Sequence, residues 1–440
     1  MNSRRLAVDI IRETLEEGGQ SHRLLQQCFR NHPELDGRER GFITALVHGT
    51  IGRVLTLDHY LAQISRILPE KMKPFVRNLL RMSLYQLLYM DRVPASAVCN
   101  EAVKILRAKM GDGLSGFVNG VLRSAARKED WHGPSVPVEL SLPAELYESL
   151  KALYGEEESR RIGEQFLAPS PLWGRVNESR GAIEDVIQSL RQEGFTAQPS
   201  PLLPGALRLE RSEKALPLES LSVIREGLLQ LQDISAQLAV KVADPRPGFR
   251  VLDLCAAPGG KSLQAADLMR NQGEILACDI SEAKCSLIRE NIARSGFHII
   301  RTQAADAALF DPAKEGVFDL VIADLPCSGL GVAGRKPEIK YRAGRESIRS
   351  LAALQRQMLQ QAARYTKPGG KLLFSTCTIT REENADNADY IEQELGLKPC
   401  PLALPLKEMG LPADTARLQL LPGDFQGDGF YIALFERKHD

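Results

Sequence analysis

Apolar residues recur every three to four positions in four stretches of the first 130 residues: Leu6–Leu15, Phe42–Leu61, Phe75–Met90 and Ala97–Lys109. That spacing gives a helix one apolar face. Asp36-Gly37 and Asp112-Gly113 mark breaks, and Pro69 and Pro94 stop or start turns. No strand-like alternation of useful length intervenes, so the pattern predicts an all-α bundle over residues 1–130. Residues 131–143 hold three prolines and a glycine, the chemistry of a linker. Residues 144–244 combine one helical stretch, Ile183–Gly194, with strand candidates Leu172–Val176 and Ala206–Glu210, which predicts a small α+β module.

The pattern changes after the break at Asp244-Pro-Arg-Pro-Gly248. Short continuous apolar runs at Val251–Leu254, Ile275–Ala277, Phe318–Ala323 and Lys371–Ser375, with a weaker one at Ile299–Gln303, alternate with helical stretches at Ser262–Arg270, Ala283–Ser295 and Ile348–Tyr365. Fully apolar short strands with helical crossovers mean a parallel sheet covered on both faces. Leu418–Leu421 and Phe430–Phe435 flank Pro422–Gly429 and read as an antiparallel hairpin at the sheet edge. The chain is therefore read as multidomain: helical 1–130, linker 131–143, small α+β module 144–244 and an α/β Rossmann-like domain over 245–440.

Composition narrows the classes. A hydrophobic fraction of 43% and a charged fraction of 25% are globular values. The eight cysteines show no C-x-x-C spacing, so they read as reduced thiols rather than as a disulfide scaffold or a metal site. No signal-peptide core and no membrane-length apolar run is present, which points to a cytoplasmic protein. Net charge is zero overall, yet residues 1–130 carry 20 Lys and Arg against 14 Asp and Glu. A basic helical third suits a polyanionic partner.

Ligands of open α/β sheets bind beyond the carboxyl ends of the strands. The first strand there runs into Cys255, Ala256, Ala257, Pro258, Gly259, Gly260 and Lys261, small residues that let backbone approach a ligand at a helix start. This is neither a phosphate-binding P-loop nor G-x-G-x-x-G, since position 255 is cysteine. Asp279 ends the second strand, where a carboxylate suits ribose hydroxyls; Asp306 follows the third and Asp324 ends the fourth. Pro326-Cys327 follows strand four and Thr376-Cys377 follows strand five. If those strands are neighbours, both thiols enter one crevice beside Asp324, an arrangement for covalent chemistry. The basic run Arg335, Lys336, Lys340, Arg342, Arg345 and Arg349 flanks this crevice and reads as a grip for the phosphates of a polyanion.

Cys255–Lys261, Asp324-Leu-Pro-Cys-Ser-Gly329 and Ser375-Thr-Cys377 resemble the signature segments of RNA 5-methylcytosine methyltransferases, as do Leu231–Gln237 and Asp428–Ile432. Residues 1–130 are similar to the NusB-like RNA-binding domain through Leu46–Thr50, Leu84–Leu88 and Phe117–Arg123. Together they resemble the bacterial Sun/Fmu/RsmB group, with Leu325 standing where that group usually has Ala or Pro. The resemblance implies S-adenosylmethionine as cofactor, held by Cys255–Lys261, Asp279, Asp306 and Asp324. It implies Cys377 as nucleophile, Cys327 as the group assisting release, Asp324 at the pyrimidine edge, and no metal. The implied partner is 16S ribosomal RNA, free or in an early assembly intermediate, without a membrane or an obligate protein partner. The residues alone leave open which cysteine attacks. Competing readings are a non-catalytic RNA-binding or assembly factor, and the same chemistry on transfer RNA. An amino-group methyltransferase would need a polar-Pro-Pro-aromatic turn where Asp324–Cys327 stands.

Overall fold

In a computed structural model, the chain is described over residues 2–439 apart from 213–214, 404–411 and 413. It divides into two compact units, Met1–Pro169 with Ala333–Arg342, and Ser170–Val332 with Ala343–Asp440.

The first unit is helical. Its elements are α1 (Ser3–Glu16), α2 (Ser21–Asn31), α3 (Gly37–Gly52), α4 (Val54–Ile64), α5 (Pro74–Tyr89), α6 (Ala95–Met110) and α7 (Ser115–Arg127), then α8 (Val136–Glu139), α9 (Ala144–Tyr154) and α10 (Glu156–Leu167). Asp36 starts α3 through a capping box with Glu39. The stretch read as one helix over Phe42–Leu61 is two, because the backbone leaves the helical region at Arg53. Ile11, Leu46, Leu57, Leu79, Leu106 and Leu122 meet in one buried core. The helical unit also runs past the expected boundary at 130. Leu140, Ser141 and Leu142, in the segment expected to be a linker, are buried, so its prolines shape a packed turn.

The segment Ala333–Arg342, which ends in α16 (Ile339–Arg342), packs as part of the helical unit and corrects the reading of two members of the basic run, Lys340 and Arg342. Lys340 is only 1% exposed. Its Nζ donates to the carbonyls of Gly52 at 2.7 Å and Leu140 at 3.3 Å. Arg342 donates to the carbonyls of Thr14 and Gly19, both at 2.7 Å. Glu338 accepts from Ser21 N and Oγ at 3.0 and 2.8 Å. These cations satisfy helix-end carbonyls and are not free to meet phosphates.

Burial, with a smaller push from the Arg53 charge, lowers the Lys340 ammonium to about 7. The unfolded chain, with an ordinary lysine near 10.4, therefore binds more protons between about pH 7 and 10, and stability from this group rises with pH across that window. Below pH 7 the cost of a buried cation is fully present. Lys340→Met is expected to stabilise the fold by about 1–3 kcal/mol at pH 6. At about pH 10.5, above both pKa values, only the two hydrogen bonds are lost and it is expected to destabilise by about 1 kcal/mol. Thermal unfolding at the two pH values checks this; an identical shift at both counts against it.

The second unit opens with a module of β1 (Leu172–Val176), α11 (Ile183–Gln192), β2 (Phe195–Pro199), β3 (Ala206–Arg211), α12 (Ser222–Arg225) and β4 (Leu229–Leu231). Its strands are antiparallel in the order β2-β3-β1-β4, a ferredoxin-like arrangement. There follow α13 (Ile234–Ala243), β5 (Arg250–Asp253), α14 (Gly260–Leu268), β6 (Glu274–Asp279), α15 (Glu282–Ser295), β7 (Ile300–Ala304), β8 (Phe318–Asp324), α17 (Arg345–Tyr365), β9 (Thr366–Thr376), α18 (Ala385–Gln393), β10 (Lys398–Pro399), β11 (Arg417–Leu420) and β12 (Phe430–Glu436).

The large sheet runs β10-β12-β9-β8-β5-β6-β7, with β11 also paired to β12. β5 through β9 pair parallel, and β12 adds antiparallel to β9. Successive residues face opposite cores: Val251, Leu320, Ile322 and Leu373 on one side, Leu252, Val321, Ala323 and Phe374 on the other. Both faces are covered, which is why the strands read as continuous apolar runs. The tail hairpin forms as expected, with β12 inside the sheet rather than at its edge. Strand order reverses about β5, which opens a crevice beyond the ends of β5, β6, β8 and β9.

Candidate active site

The turn from β5 into α14 carries Cys255–Lys261. Ala256 N donates to Cys278 O at 2.8 Å and Ala257 N to Asp279 Oδ2 at 3.0 Å, so the turn is strapped to the end of β6. Gly259 has φ +106°, and a Cβ there would stand 3.2 Å from Ile288. The positive φ requires glycine on backbone grounds, and a Cβ would also press on the Ile288 side chain. Lys261, on the first turn of α14, reaches Asp324 Oδ2 at 2.6 Å, and Ser375 Oγ donates to Asp324 Oδ1 at 2.8 Å. The last pair follows from sheet register, since Asp324 and Ser375 are direct partners on β8 and β9.

The carboxylates differ in their surroundings. Asp279 is buried, accepts from Ile280 N at 2.8 Å, and pairs with the half-exposed Lys284 at 2.9 Å. Asp306 lies on the surface and accepts from Ala308 N at 2.9 Å, capping its own turn. Asp253, which the motifs did not single out, is buried at the end of β5. Ser262 Oγ donates to its Oδ2 at 2.6 Å, while Oδ1 has no partner. Burial raises its carboxyl to about 7 despite the Ser262 hydrogen bond. Burial also raises the Cys255 thiol, and the charges of Asp253, Asp279 and Asp324 push it further. Cys255 is thus a neutral lining group and not a nucleophile.

This donor set fits a cationic ligand. Three carboxylates converge at neighbouring strand ends, one with an unpartnered buried oxygen, and S-adenosylmethionine carries a sulfonium, an ammonium and two ribose hydroxyls. Beside Asp279, Ile280 is 63% exposed and offers an apolar surface for a flat ring. An isoleucine one residue past the acidic strand end was the only sequence signal for it.

The thiols lie where strands β8 and β9 end side by side. Cys327 Sγ and Cys377 Sγ are 3.3 Å apart, and both residues are partly exposed. Their hydrogen bond raises the Cys327 thiol well above its ordinary value, with burial and the charges of Glu383 and Asp324 adding to it. Either sulfur can donate in this contact. Gly331 N donates to Cys377 O at 3.1 Å, and Gly429 N donates to Gly331 O at 2.9 Å. A Cβ on Gly331 would come within 2.0 Å of Gly429 O, so only glycine permits this approach. Ser235 Oγ donates to Asp428 O at 2.8 Å and Asp428 N donates to Asp233 Oδ1 at 3.1 Å, which joins two of the signature segments far apart in sequence. Among the described residues no cluster of ligating side chains for a metal is found, and no helix is long and apolar enough to cross a membrane.

A doubly covered parallel sheet, a glycine turn after its first strand and acidic residues at successive strand ends define an S-adenosylmethionine-dependent methyltransferase domain. Family models match in three parts: the NusB family over residues 1–127, the ferredoxin-like domain of RsmF/B-like methyltransferases over 142–215, and 16S rRNA methyltransferase RsmB/F over 240–436. The "Probable ribosomal RNA small subunit methyltransferase B" of Bacillus subtilis (strain 168) is 33% identical, over 99% of this chain and 98% of the relative. "Ribosomal RNA small subunit methyltransferase B" of Salmonella paratyphi C is 30% identical, over 99% of each chain. The crystal structure of PH0851 superposes with a TM-score of 0.84 at 25% identity, over 99% of both chains. The chain belongs to the ribosomal RNA small subunit methyltransferase B family, and its cofactor is S-adenosylmethionine.

Proposed function

We propose that the chain methylates carbon 5 of a cytosine in 16S ribosomal RNA through a covalent bond between Cys377 and carbon 6 of the base. The carrying observation is the pair of thiols 3.3 Å apart beside Asp324. Methyl transfer to an amino or hydroxyl group has no use for a thiol, whereas carbon 5 of cytosine becomes nucleophilic only after a thiolate adds at carbon 6.

The bound cofactor supplies an electrophilic methyl group. Cys377 adds as thiolate to carbon 6, and the electron pair moves to carbon 5. The Cys377 role follows from the resemblance of Ser375–Cys377 to the family's signature segment, and the raised Cys327 thiol, less available as a thiolate, agrees with it. Asp324, fixed by Lys261 and Ser375, meets the N3/N4 edge of the ring, accepting from the N4 amino group and holding a proton taken up from solvent on N3, which neutralises the negative charge that the addition puts on the ring. After methylation a base takes the carbon 5 proton, the bonding pair re-forms the double bond between carbons 5 and 6, and the Cys377 thiolate leaves; Cys327 assists that step. A base stacked in a duplex cannot reach this crevice, so the target is unpaired or flipped out. RNA binding falls to the basic helical domain, and the substrate is free RNA or an early assembly intermediate.

The test supplies isotopically labelled S-adenosylmethionine with unmodified small-subunit rRNA, and transfer RNA in parallel, followed by nucleoside mass spectrometry. Labelled 5-methylcytidine from rRNA alone is expected. Label in transfer RNA alone would keep the chemistry and remove the substrate assignment. Cys327→Ala is expected to accumulate a denaturation-resistant protein–RNA adduct.

A further inference from the structure

We infer that Glu383 and Asn384, adjacent in the chain and outside every signature segment, are the positioning residues of the two thiols, one for each. The inference rests on the covalent reading above and says what holds the thiols in register.

Glu383 is 0% exposed, yet its carboxylate is fully engaged. Oε1 accepts from Ser328 N at 2.7 Å and from Gln355 Nε2 at 3.4 Å. Oε2 accepts from Ser328 Oγ at 2.6 Å and from Thr380 Oγ1 at 2.7 Å. Gln355, on α17, also donates to Pro326 O at 2.8 Å, and Asn387 of α18 fixes its amide from behind at 2.7 Å. The residues before and after Cys327 are therefore both held by one buried network.

Asn384 does the same for Cys377. Thr376 Oγ1 donates to its Oδ1 at 2.5 Å, and its Nδ2 donates to Thr378 O at 3.0 Å and to Gln419 Oε1 at 2.8 Å. Ser328 Oγ and Thr378 Oγ1, the neighbours of the two cysteines, are 2.7 Å apart. A hydroxyl has one proton, and that of Ser328 goes to Glu383, so Thr378 is the donor in this link. The two thiol turns thus share a single hydrogen-bonded frame built on consecutive residues.

Burying a carboxylate is costly unless every lone pair it offers is used. Here all four donors come from the thiol turns or from groups that brace them. A misplacement of about 1 Å at a reacting group costs about 10²-fold in rate, which is the scale on which this frame acts.

The experiment measures 5-methylcytidine formation, protein–RNA adduct, S-adenosylmethionine binding and thermal midpoint for the full chain and its variants. Glu383→Ala frees the Cys327 turn. Adduct is expected to accumulate as in Cys327→Ala, with product formation falling about tenfold or more at unchanged cofactor binding. Glu383→Gln is expected to stay within about threefold of the parent, because its oxygen can face the two N–H donors while the Ser328 and Thr380 hydroxyls turn to accept. Asn384→Ala frees the Cys377 turn, and adduct and product are expected to fall together. If Glu383→Ala does not fold, Ser328→Ala removes only the hydroxyl links and is expected to raise adduct about threefold.

Parallel loss of adduct and product in a folded Glu383→Ala, unchanged turnover in it, or no adduct increase in Ser328→Ala overturns the Glu383 assignment. Adduct gain with product loss is the readout that a purely structural role would not give, and an Asn384→Ala variant that still forms adduct at the parental rate overturns the Asn384 assignment. Absence of adduct in Cys327→Ala while the parent forms 5-methylcytidine overturns the covalent reading itself, and is seen independently of either variant.

Discussion

Cys377→Ala is expected to fold and to bind S-adenosylmethionine, and to lose 5-methylcytidine formation by a factor on the order of 10⁴ or more. The size follows from the chemistry, because without addition at carbon 6 the ring has no nucleophilic carbon 5 to offer. Folding is expected to survive, since the turn stays held through Thr376, Thr378 and the Cys377 carbonyl rather than through the sulfur. Removing Cys377 also removes the first cause that raises the Cys327 thiol, namely the hydrogen bond between them. Cys327 would then be the only thiol at the pair, and a residual rate would belong to it. The double variant Cys377→Ala/Cys327→Ala is expected to abolish that residue. Turnover of Cys377→Ala within tenfold of the parent would sink the scheme, and an adduct mapped by mass spectrometry to Cys327 would reverse the two roles.

How far the pair could be foreseen shows where sequence reading stops. The strand ends were legible because short apolar runs alternate with helices, so Cys327 and Cys377 could be placed at equivalent positions. Their 3.3 Å separation depends on β8 and β9 being neighbours, which is a matter of strand order and not of local pattern. Glu383 and Asn384 follow the end of β9 in a segment with no period, and nothing distinguishes a buried glutamate there from a solvated one. Lys340 and Arg342 failed for the same reason. A run of cations looks alike whether it faces solvent or donates to the carbonyls of Gly52 and Thr14. β2 was missed because only Phe195 of its five residues is buried, leaving an edge strand without alternation. Ordinary periodicity identifies elements whose burial is regular; groups held by tertiary hydrogen bonds leave no such trace.

Asp324→Asn is the second large effect, and its interest lies in preserving shape while removing charge. The asparagine oxygen can take the Lys261 ammonium while its amide donates to Ser375 Oγ, which accepts as readily as it donates. The turn is therefore expected to hold, with Lys261 left without its counter-charge. Electrostatic stabilisation of the activated ring is lost, and kcat/KM is expected to fall by about 10²–10³. The loss precedes methyl transfer, because the charge on the ring appears when the thiolate adds. Combining Asp324→Asn with Cys327→Ala should accordingly suppress the adduct that Cys327→Ala alone accumulates. A role for Asp324 in cofactor binding alone predicts a different outcome: the adduct forms at full rate without S-adenosylmethionine, and saturating cofactor restores turnover. Adduct yield in the double variant, measured with and without cofactor, therefore decides whether this carboxylate serves the base or the methyl donor.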